Sequence, residues 1–262
     1  MYDVCIKFMS RSAKKLIYGS FYTLIFALVL YALISPFFTK VESCFDGKKN
    51  QNETGIDCGG VCVSCEVKEL SPLRSLDVKV FPLRSGQVVL LGTAVNPNEL
   101  YDAEKFFYSF LVYDATNHLV ETIEGDDSVS ALEKRFIFTA GIKTKYQNVG
   151  RVVLETKDVL WKKSFGTLKP NISLLKAIET NMGEQNIKVR GVLKNESSVS
   201  ASSIKVIGVL YDKYDIEIFA SQSLISSLQA FEEKSFTITF PSDPNIIEHA
   251  DMSKTKVFIS TR

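Results

Sequence analysis

The feature that most restricts the fold of this chain is a long uncharged stretch near its N-terminus. Residues 16–38 read LIYGSFYTLIFALVLYALISPFF and contain no Asp, Glu, Lys or Arg. As a helix, a stretch of this length reaches roughly 34 Å, which is enough to cross the ~30 Å hydrocarbon core of a bilayer. The sequence therefore predicts a transmembrane signal-anchor helix over residues 16–38.

Basic residues are concentrated on the N-terminal side of this stretch. Residues 1–15 contain four of them against a single acid, Asp3, while only Lys40 and Glu42 follow closely on the other side. Because positive charge beside a spanning helix favours the cytoplasm, we expect a cytoplasmic segment at residues 1–15 and an extracytoplasmic location for everything beyond the helix. A cleaved signal peptide fits less well, since the bulky end of the stretch makes a poor cleavage site.

The overall charge gives no sign of a nucleic-acid partner. The chain has 31 Lys and Arg against 30 Asp and Glu, a formal net charge of +1, and 45% of its residues are hydrophobic. Disordered chains are poorer in hydrophobic residues than this, and nucleic-acid-binding domains are usually strongly basic. We therefore expect a folded chain whose partners are the membrane and another envelope or extracellular protein, with no nucleic acid.

Four of the five cysteines lie in a short polar segment just after the predicted helix. They are Cys44, Cys58, Cys62 and Cys65. Clustered, even-numbered cysteines outside the cytoplasm are typical of disulfides, and a segment this short cannot form a hydrophobic core of its own. We expect a cysteine-rich module at residues 40–66 with two disulfides, whose three alternative pairings the sequence does not distinguish. A zinc site with four thiolates is the competing interpretation.

Oxygen-bearing side chains recur through the same segment at every third or fourth position. They are Asp46, Asn50, Glu53 and Asp57, with glycines between them that allow tight turns. Hard oxygen ligands on a flexible loop suit Ca²⁺, although their spacing is not that of an EF-hand. The segment is therefore a candidate calcium site. The alternative is that these side chains only solvate a disulfide-bonded loop.

The whole segment also fits a recurring pattern. Residues 44–65 match C-x-D-G-x-x-N-x-x-E-x-x-x-D-C-G-G-x-C-x-x-C at every fixed position. In this the segment resembles short modules of bacterial and archaeal surface proteins. The resemblance implies an exported location and does not imply a ligand.

Beyond the cysteines the chain alternates short apolar runs with turn residues. In residues 187–194, for example, Ile, Val, Gly and Leu alternate with Lys, Arg, Val and Lys. A period of two places one face of a strand in a core and the other in water. These segments predict antiparallel β-strands, with helices as small additions at most.

Two stretches of this strand-rich region can be laid over each other. Residues 92–96 (GTAVN) precede residues 191–195 (GVLKN) by 99 positions, and Tyr113-Asp114 precedes Tyr211-Asp212 by 98. A constant spacing across separate matches indicates a tandem duplication. We therefore predict a mainly β fold with two tandem antiparallel Ig-like β-sandwiches, at residues 67–168 and 169–262.

The motif that carries the second match also resembles a known family. Residues 110–114 read FLVYD, which is similar to the motif that names the FxLyD domains, small β-sandwiches of exported and membrane-tethered prokaryotic proteins. In that family a V-x-G-x-V-x-N strand precedes the motif, and residues 88–96 and 185–195 are similar to it. The second copy departs from the pattern, because Gly208 stands where the phenylalanine is expected. The resemblance implies fold and location, and it brings no catalytic residues.

Catalytic chemistry has little support in the sequence. The only two histidines, His118 and His249, are not at metal-ligand spacing from another His or Cys, and no G-x-S-x-G or H-E-x-x-H motif occurs. We expect a non-enzymatic membrane-anchored protein with an extracytoplasmic binding or structural role. The alternative is an accessory subunit of a larger membrane assembly, such as a secretion or pilus-associated complex, with Gly19, Ser20 and Thr23 packed against other spans.

Overall fold

The computed structural model of the protein describes most of the chain, which forms two compact units, Met1–Glu69 and Leu70–Arg262. The described residues are 10–38, 43–50, 52–165, 168–175, 179–182, 186–241 and 243–261. Most of the predicted cytoplasmic segment, the predicted start of the cysteine-rich module and Thr167, near the predicted junction of the sandwiches, lie outside them.

The described part of the first unit contains one long helix, α1, at Arg11–Phe38. Ser10 caps its N-terminus, since its Oγ accepts a hydrogen bond from the backbone N–H of Ala13 at 3.2 Å. The segment Arg11–Ser35 has a mean hydropathy of 2.0, and none of its most apolar window is buried. The helix is long and apolar enough to span a membrane, and it begins at Arg11 rather than at Leu16.

The rest of this unit is the neck, which we define as residues 43–69. It contains two disulfides and one short helix, α2, at Cys65–Lys68. Ser64 caps this helix by accepting a hydrogen bond from the backbone N–H of Val67 at 3.3 Å. The prediction of a small disulfide-rich module after the helix is confirmed.

The first repeat of the second unit consists of six strands in two antiparallel sheets. The strands are β1 (Arg74–Pro82), β2 (Val88–Val95), β3 (Tyr101–Tyr113), β4 (Leu119–Val129), β5 (Lys134–Thr139) and β6 (Arg151–Lys163), with a 3-10 turn at Tyr146–Asn148. One sheet has the order β1-β2-β5 and the other β4-β3-β6. Phe106, Phe110 and Val112 of β3 are fully buried between them. The first repeat is a β-sandwich, as predicted.

The second repeat has the same plan. Its elements are β7 (Ile172–Leu174), β8 (Glu179–Met182), β9 (Asn186–Asn195), β10 (Ala201–Tyr211), β11 (Glu217–Leu228), β12 (Glu233–Pro241), α3 (Pro244–His249) and β13 (Asp251–Ser260). One sheet has the order β12-β9-β7, with β8 also paired to β9, and the other β11-β10-β13. The mainly β fold with two tandem antiparallel sandwiches is therefore confirmed.

In the first repeat, a buried asparagine directly follows β2, the strand that contains Gly92. Asn96 is fully buried, and its Nδ2 donates to the carbonyls of Tyr101 at 2.7 Å and Val129 at 3.5 Å. Its Oδ1 accepts from the backbone N–H of Asn98 at 3.0 Å. One side chain thus joins three chain segments, because a buried amide must satisfy its donors and its acceptor.

The same bonds recur around Asn195 in the second repeat. This residue is also fully buried, and its Nδ2 donates to the carbonyls of Val199 at 2.7 Å and Leu228 at 3.4 Å. Its Oδ1 accepts from the backbone N–H of Ser197 at 3.0 Å. The final Asn of each matching segment is therefore a structural latch, and we use this name for Asn96 and Asn195.

Strand β2 is buried on both faces, which an isolated sandwich does not require. Val88, Leu90 and Ala94 pack into the first core, whereas Val89 and Leu91 pack with the core of the second repeat. The sheet β1-β2-β5 therefore lies face to face with the sheet β11-β10-β13, and the second unit stacks four sheets.

Aromatic pairs join these two central sheets. The rings of Phe81 and Phe219 are 5.7 Å apart between centroids, and those of Phe136 and Phe258 are 4.4 Å apart. Tilted rings at such distances attract each other in addition to burying apolar surface. The two sandwiches are thus packed together by the outward-facing apolar residues of their central sheets.

Side-chain packing explains why Gly208 stands where the motif has phenylalanine. In the first repeat, Phe110 of one sheet lies over Gly92 of the other, where an added Cβ would come within 2.8 Å of its ring. At Gly208 the arrangement is reversed, because an added Cβ would meet Phe240 at 2.9 Å and Ile238 at 3.0 Å. The second repeat fills the same space with large side chains from its opposite sheet, so its motif strand carries glycine.

Candidate functional site

The four cysteines of the neck form two interlaced disulfides. Cys44 bonds to Cys62, and Cys58 bonds to Cys65. All four sulfurs are used in this way, so no thiolate is left for the alternative zinc site. Crosslinks restrict the unfolded states of a chain, and these two hold together a segment that buries little apolar surface.

The first two candidate calcium ligands bind each other and the local backbone. Asp46 Oδ2 accepts a hydrogen bond from Asn50 Nδ2 at 2.9 Å, and its Oδ1 accepts one from the backbone N–H of Lys48 at 2.9 Å. The hydrogen bond from Asn50 is the main cause that lowers the pKa of Asp46, since it stabilises the ionised carboxylate. Asp46 is therefore a turn-stabilising anion at neutral pH.

Glu53 and Asp57 hold the following turns of the neck. Glu53 is buried, and its Oε2 accepts from the backbone N–H groups of Asn50 at 3.2 Å and Asp57 at 3.1 Å. Asp57 Oδ1 accepts from the backbone N–H of Gly47 at 2.9 Å, and its Oδ2 lies 3.6 Å from Lys68 Nζ. The structure thus connects Asp46, Asn50, Glu53 and Asp57 in one hydrogen-bonded network.

The atoms of this network that could still ligate a cation are few. Among the His, Cys, Asp and Glu side chains of the described part of the chain, one group has three ligand atoms within 4.8 Å of one another. It consists of Cys44, Glu53 and Cys62, and the two cysteines share a disulfide. Asn50 Oδ1 is buried and accepts no hydrogen bond from the described residues. Calcium binding therefore stays a prediction, and the observed role of the carboxylates is to accept the loop's own backbone hydrogen bonds.

A second candidate site, not predicted from the sequence, lies between the two central sheets. We call it the inter-sandwich cleft, and its volume is about 640 Å³. Its walls include Leu91 and Phe136 from the first repeat and Phe258 from the second. At its mouth lies Leu76, which is 52% exposed and precedes a bulge in β1. The cleft therefore combines apolar and aromatic walls with polar and charged groups, and it is open to solvent at its edge.

Charged groups line the same cleft. Lys79 Nζ lies 3.4 Å from Glu217 Oε2 and so links the two repeats. Lys134 Nζ lies 5.5 Å from the ring centroid of Phe136, and Lys256 Nζ lies 4.6 Å from that of Tyr211. Cations at these distances interact favourably with the ring faces. Two ammonium groups thus stand beside the aromatic walls.

Tyr211 adds a hydroxyl group to the cleft. It is 8% exposed, and its pKa is raised, mainly because burial disfavours the phenolate and additionally because Glu217 and Asp215 lie nearby. Its hydroxyl therefore remains protonated at neutral pH and is able to donate a hydrogen bond. Its counterpart in the first repeat, Tyr113, packs under the Arg151 guanidinium at 3.9 Å on the outer sheet.

A signal for this cleft was present in the sequence. The run at residues 88–91 is VVLL, and Phe136 and Phe138 alternate with Ile137 on β5, so both faces of these strands are apolar. Strands with two apolar faces are buried on both sides. This pattern predicts that another layer covers the sheet, but it does not predict which layer.

The two histidines belong to neither region. His118 is 80% exposed and lies in the turn after β3, where its Nδ1 is 2.9 Å from Thr116 Oγ1. His249 is exposed at the end of α3. Both are surface residues.

The comparisons with known proteins give no relative on which to base a function. No protein-family model matches the chain, and no curated protein sequence matches it. The resemblance to FxLyD domains and to the cysteine module therefore stays a prediction, and the candidate function depends on the geometry described above.

Proposed function

We propose that this chain is a non-enzymatic, single-pass membrane protein whose neck and paired sandwiches lie outside the cytoplasm and bind another component of the cell envelope. The observation that carries the proposal is the direct succession of an unburied apolar helix, α1, and two disulfides in the neck. Disulfides persist in oxidising compartments, and an apolar helix of this length is stable in a bilayer.

Charge supports one orientation of this anchor. Arg11, Lys14 and Lys15 lie in the first turns of α1, which carries no basic residue in its last turn. Because basic residues favour the cytoplasmic side, the N-terminal end of the helix faces the cytoplasm and the neck follows on the other side. In this arrangement α1 supplies the location, and the disulfides hold the neck together.

Thiol labelling of intact cells tests the proposal. A membrane-impermeant maleimide should label Cys44, Cys58, Cys62 and Cys65 only after a reductant is added, without permeabilisation. Cys5, which precedes the helix in sequence, is an internal control that should react only after the cells are permeabilised. Labelling of the neck cysteines without reductant, or only after permeabilisation, would contradict the proposed location.

The alternative, an accessory subunit of a larger assembly, depends on packing of α1 with other spans. In the structure the hydroxyls of its small face bond within the helix, Ser20 Oγ to the carbonyl of Ile17 at 3.0 Å and Thr23 Oγ1 to the carbonyl of Ser20 at 2.9 Å. These groups therefore need no partner helix. Extraction in a mild detergent separates the alternatives, because a stoichiometric complex that survives purification would favour the subunit.

Metal removal tests the calcium prediction for the neck. Because the carboxylates already accept backbone hydrogen bonds, we expect millimolar Ca²⁺ or a chelator to change the unfolding temperature of the full-length protein by less than about 2 °C. Glu53→Gln should make no difference to this response. A rise of several degrees with Ca²⁺ that is lost in the Glu53→Gln variant would instead establish a calcium site.

A further inference from the structure

The inter-sandwich cleft has the dimensions of a small-molecule site. Its volume of about 640 Å³ lies within the range of roughly 300–1,000 Å³ that is usual for such sites. It is built by both repeats, because Phe136 comes from β5 and Phe258 from β13. The stacking of the two sandwiches therefore creates a concave surface that neither repeat has alone.

The aromatic walls of the cleft suit a flat apolar group. The rings of Phe136 and Phe258 pack against each other with centroids 4.4 Å apart, and both rings are only partly buried. Leu76, which is 52% exposed, lies on β1 at the mouth of the cleft, where it is paired with Thr93 of β2. An aromatic or alicyclic ring placed here would cover apolar surface that is now wet, which favours binding.

The charges of the cleft select for an anion. Lys79 is paired with Glu217 at 3.4 Å. Lys134 and Lys256 form no ion pair with any carboxylate of the described residues, and each lies beside an aromatic ring of the lining. Asp77 is the only other acid of the lining, and it lies on the exposed bulge of β1. The two lysines are thus available to a ligand that brings negative charge next to a ring.

We propose that the inter-sandwich cleft binds a small organic anion whose charged groups meet Lys134 and Lys256 and whose ring packs on Phe136 and Phe258. Tyr211 stands in the same cleft with a protonated hydroxyl that donates to an oxygen of the ligand. This assignment names the ligand class within the proposed binding function and rests on it. The topology of the protein is tested separately by thiol labelling, so a failure of either proposal can be recognised.

Fluorescence anisotropy of pyranine, a trisulfonated pyrene dye, tests the assignment. The full-length protein is held in nanodiscs of anionic lipid, from which the dye is excluded by its charge. The wild type should bind pyranine saturably. The double variant Lys134→Ala/Lys256→Ala should weaken binding by about tenfold, since it removes both cations. Leu76→Glu, at an exposed position, should weaken it as well without loss of folding.

Matched variants control for general loss of charge or surface. Lys105 and Lys213 each lie over an aromatic ring outside the cleft, at 4.7 Å from Phe107 and 4.9 Å from Tyr214. Lys105→Ala/Lys213→Ala should therefore keep wild-type affinity. Leu119→Glu, at a position that is 53% exposed, should do the same.

Competition experiments separate the contribution of the lysines from that of the aromatic rings. A naphthalenetrisulfonate should displace pyranine, and citrate, which has charge but no ring, should not do so at the same concentration. Equal displacement by citrate would overturn the role of the aromatic walls. The absence of saturable binding by the wild type, or an equal loss in the control variants, would overturn the site itself.

Discussion

The two repeats share the hydrogen bonds within each sandwich and differ in the packing of their outer surfaces. Asn96 and Asn195 make matching hydrogen bonds, and the turns after the two motif strands match as well, with Asn117 and Asp215 both at positive φ. The sheets β1-β2-β5 and β11-β10-β13 are covered on both faces, because each also packs against the other repeat. Shared polar residues therefore fix the sandwich, while apolar residues on its outer face decide how two sandwiches stack.

The clearest difference concerns a buried position that is charged in one repeat and apolar in the other, Asp127 on β4 and Ile225 on β11. Asp127 is 1% exposed and accepts a hydrogen bond from Lys205 Nζ of the second repeat at 2.5 Å. Arg135, 6% exposed, donates to the carbonyls of Ser128 at 2.6 Å and Thr261 at 3.0 Å. These side chains form a buried charged cluster where the repeats meet.

Removing the carboxylate from this cluster should have the largest effect on stability. Asp127→Ala leaves the Arg135 guanidinium buried without its nearest anion, and we expect a loss of about 3–5 kcal/mol in the free energy of unfolding. Urea unfolding of the full-length protein in detergent measures this loss. The control is Ser226 on β11 of the second repeat, which is exposed, so Ser226→Ala should change stability by less than about 0.5 kcal/mol.

Comparable losses for the two variants would show that the buried cluster contributes nothing beyond an ordinary surface position. A large loss only for Asp127→Ala would confirm that the buried charged cluster contributes to stability.

The two latches should respond similarly, because most of their hydrogen bonds match. Replacement of Asn96 leaves two carbonyls and a backbone N–H without their partner, and replacement of Asn195 leaves three carbonyls and a backbone N–H. We expect Asn96→Ala and Asn195→Ala each to cost about 2–3 kcal/mol. Urea unfolding measures both variants. Agreement within about 1 kcal/mol supports a shared latch, and a near-neutral result at one site would show that the repeats do not use this residue in the same way.

The sequence predicted the features that depend on local interactions and did not predict those that depend on contacts between distant residues. The period of two along 187–194 and the matched segments GTAVN and GVLKN predicted strands and a duplication, because those patterns depend on local backbone geometry and on repetition. The pairing of Cys44 with Cys62 depends on the folded path of the loop, which spacing does not specify.

For the same reason, local patterns indicated that another layer covers β2 and β5 but did not locate the inter-sandwich cleft. Phe136 and Phe258 lie far apart in the chain and meet only through the stacking of two sheets. The carboxylates of the neck show a further limit, because Glu53 and Asp57 have the composition of a metal site whether they bind an ion or the loop's own N–H groups. Composition alone does not indicate whether a carboxylate accepts backbone hydrogen bonds or binds a metal ion.

Glycines at the centre of each sandwich should show a smaller effect than the latches. Gly92→Ala introduces a Cβ within 2.8 Å of Phe110 and Leu154, and Gly208→Ala introduces one within 2.9 Å of Phe240. We expect each to destabilise the protein by about 1–3 kcal/mol through overpacking. Gly19→Ala, where no atom lies within 4 Å of the added Cβ, is the control. Unchanged stability for Gly208→Ala would contradict the reversed packing inferred for the second repeat.

The smallest expected effect concerns the turns that follow the two motif strands. Asp114 Oδ1 accepts hydrogen bonds from the backbone N–H groups of Thr116 and His118, each at 2.9 Å, and from Thr116 Oγ1 at 2.7 Å. The hydroxyl of Thr116 is the largest cause that lowers the pKa of Asp114 below its usual value of 3.8. The second repeat has Tyr214 at the equivalent position, so only the first turn has this donor.

Thr116→Val should therefore raise the pKa of Asp114 toward 3.8, as measured by NMR titration of its carboxylate. A folded-state pKa below the unfolded value stabilises the protein above the unfolded pKa, and this contribution is lost as the pH falls through the folded pKa. The wild type should thus lose more stability than Thr116→Val when acidified below pH 3.8. Tyr214→Phe, which alters the matching position without removing such a donor, should leave the acid dependence unchanged. An unchanged titration of Asp114 in Thr116→Val would instead assign the lowered pKa to the backbone donors, which both repeats share.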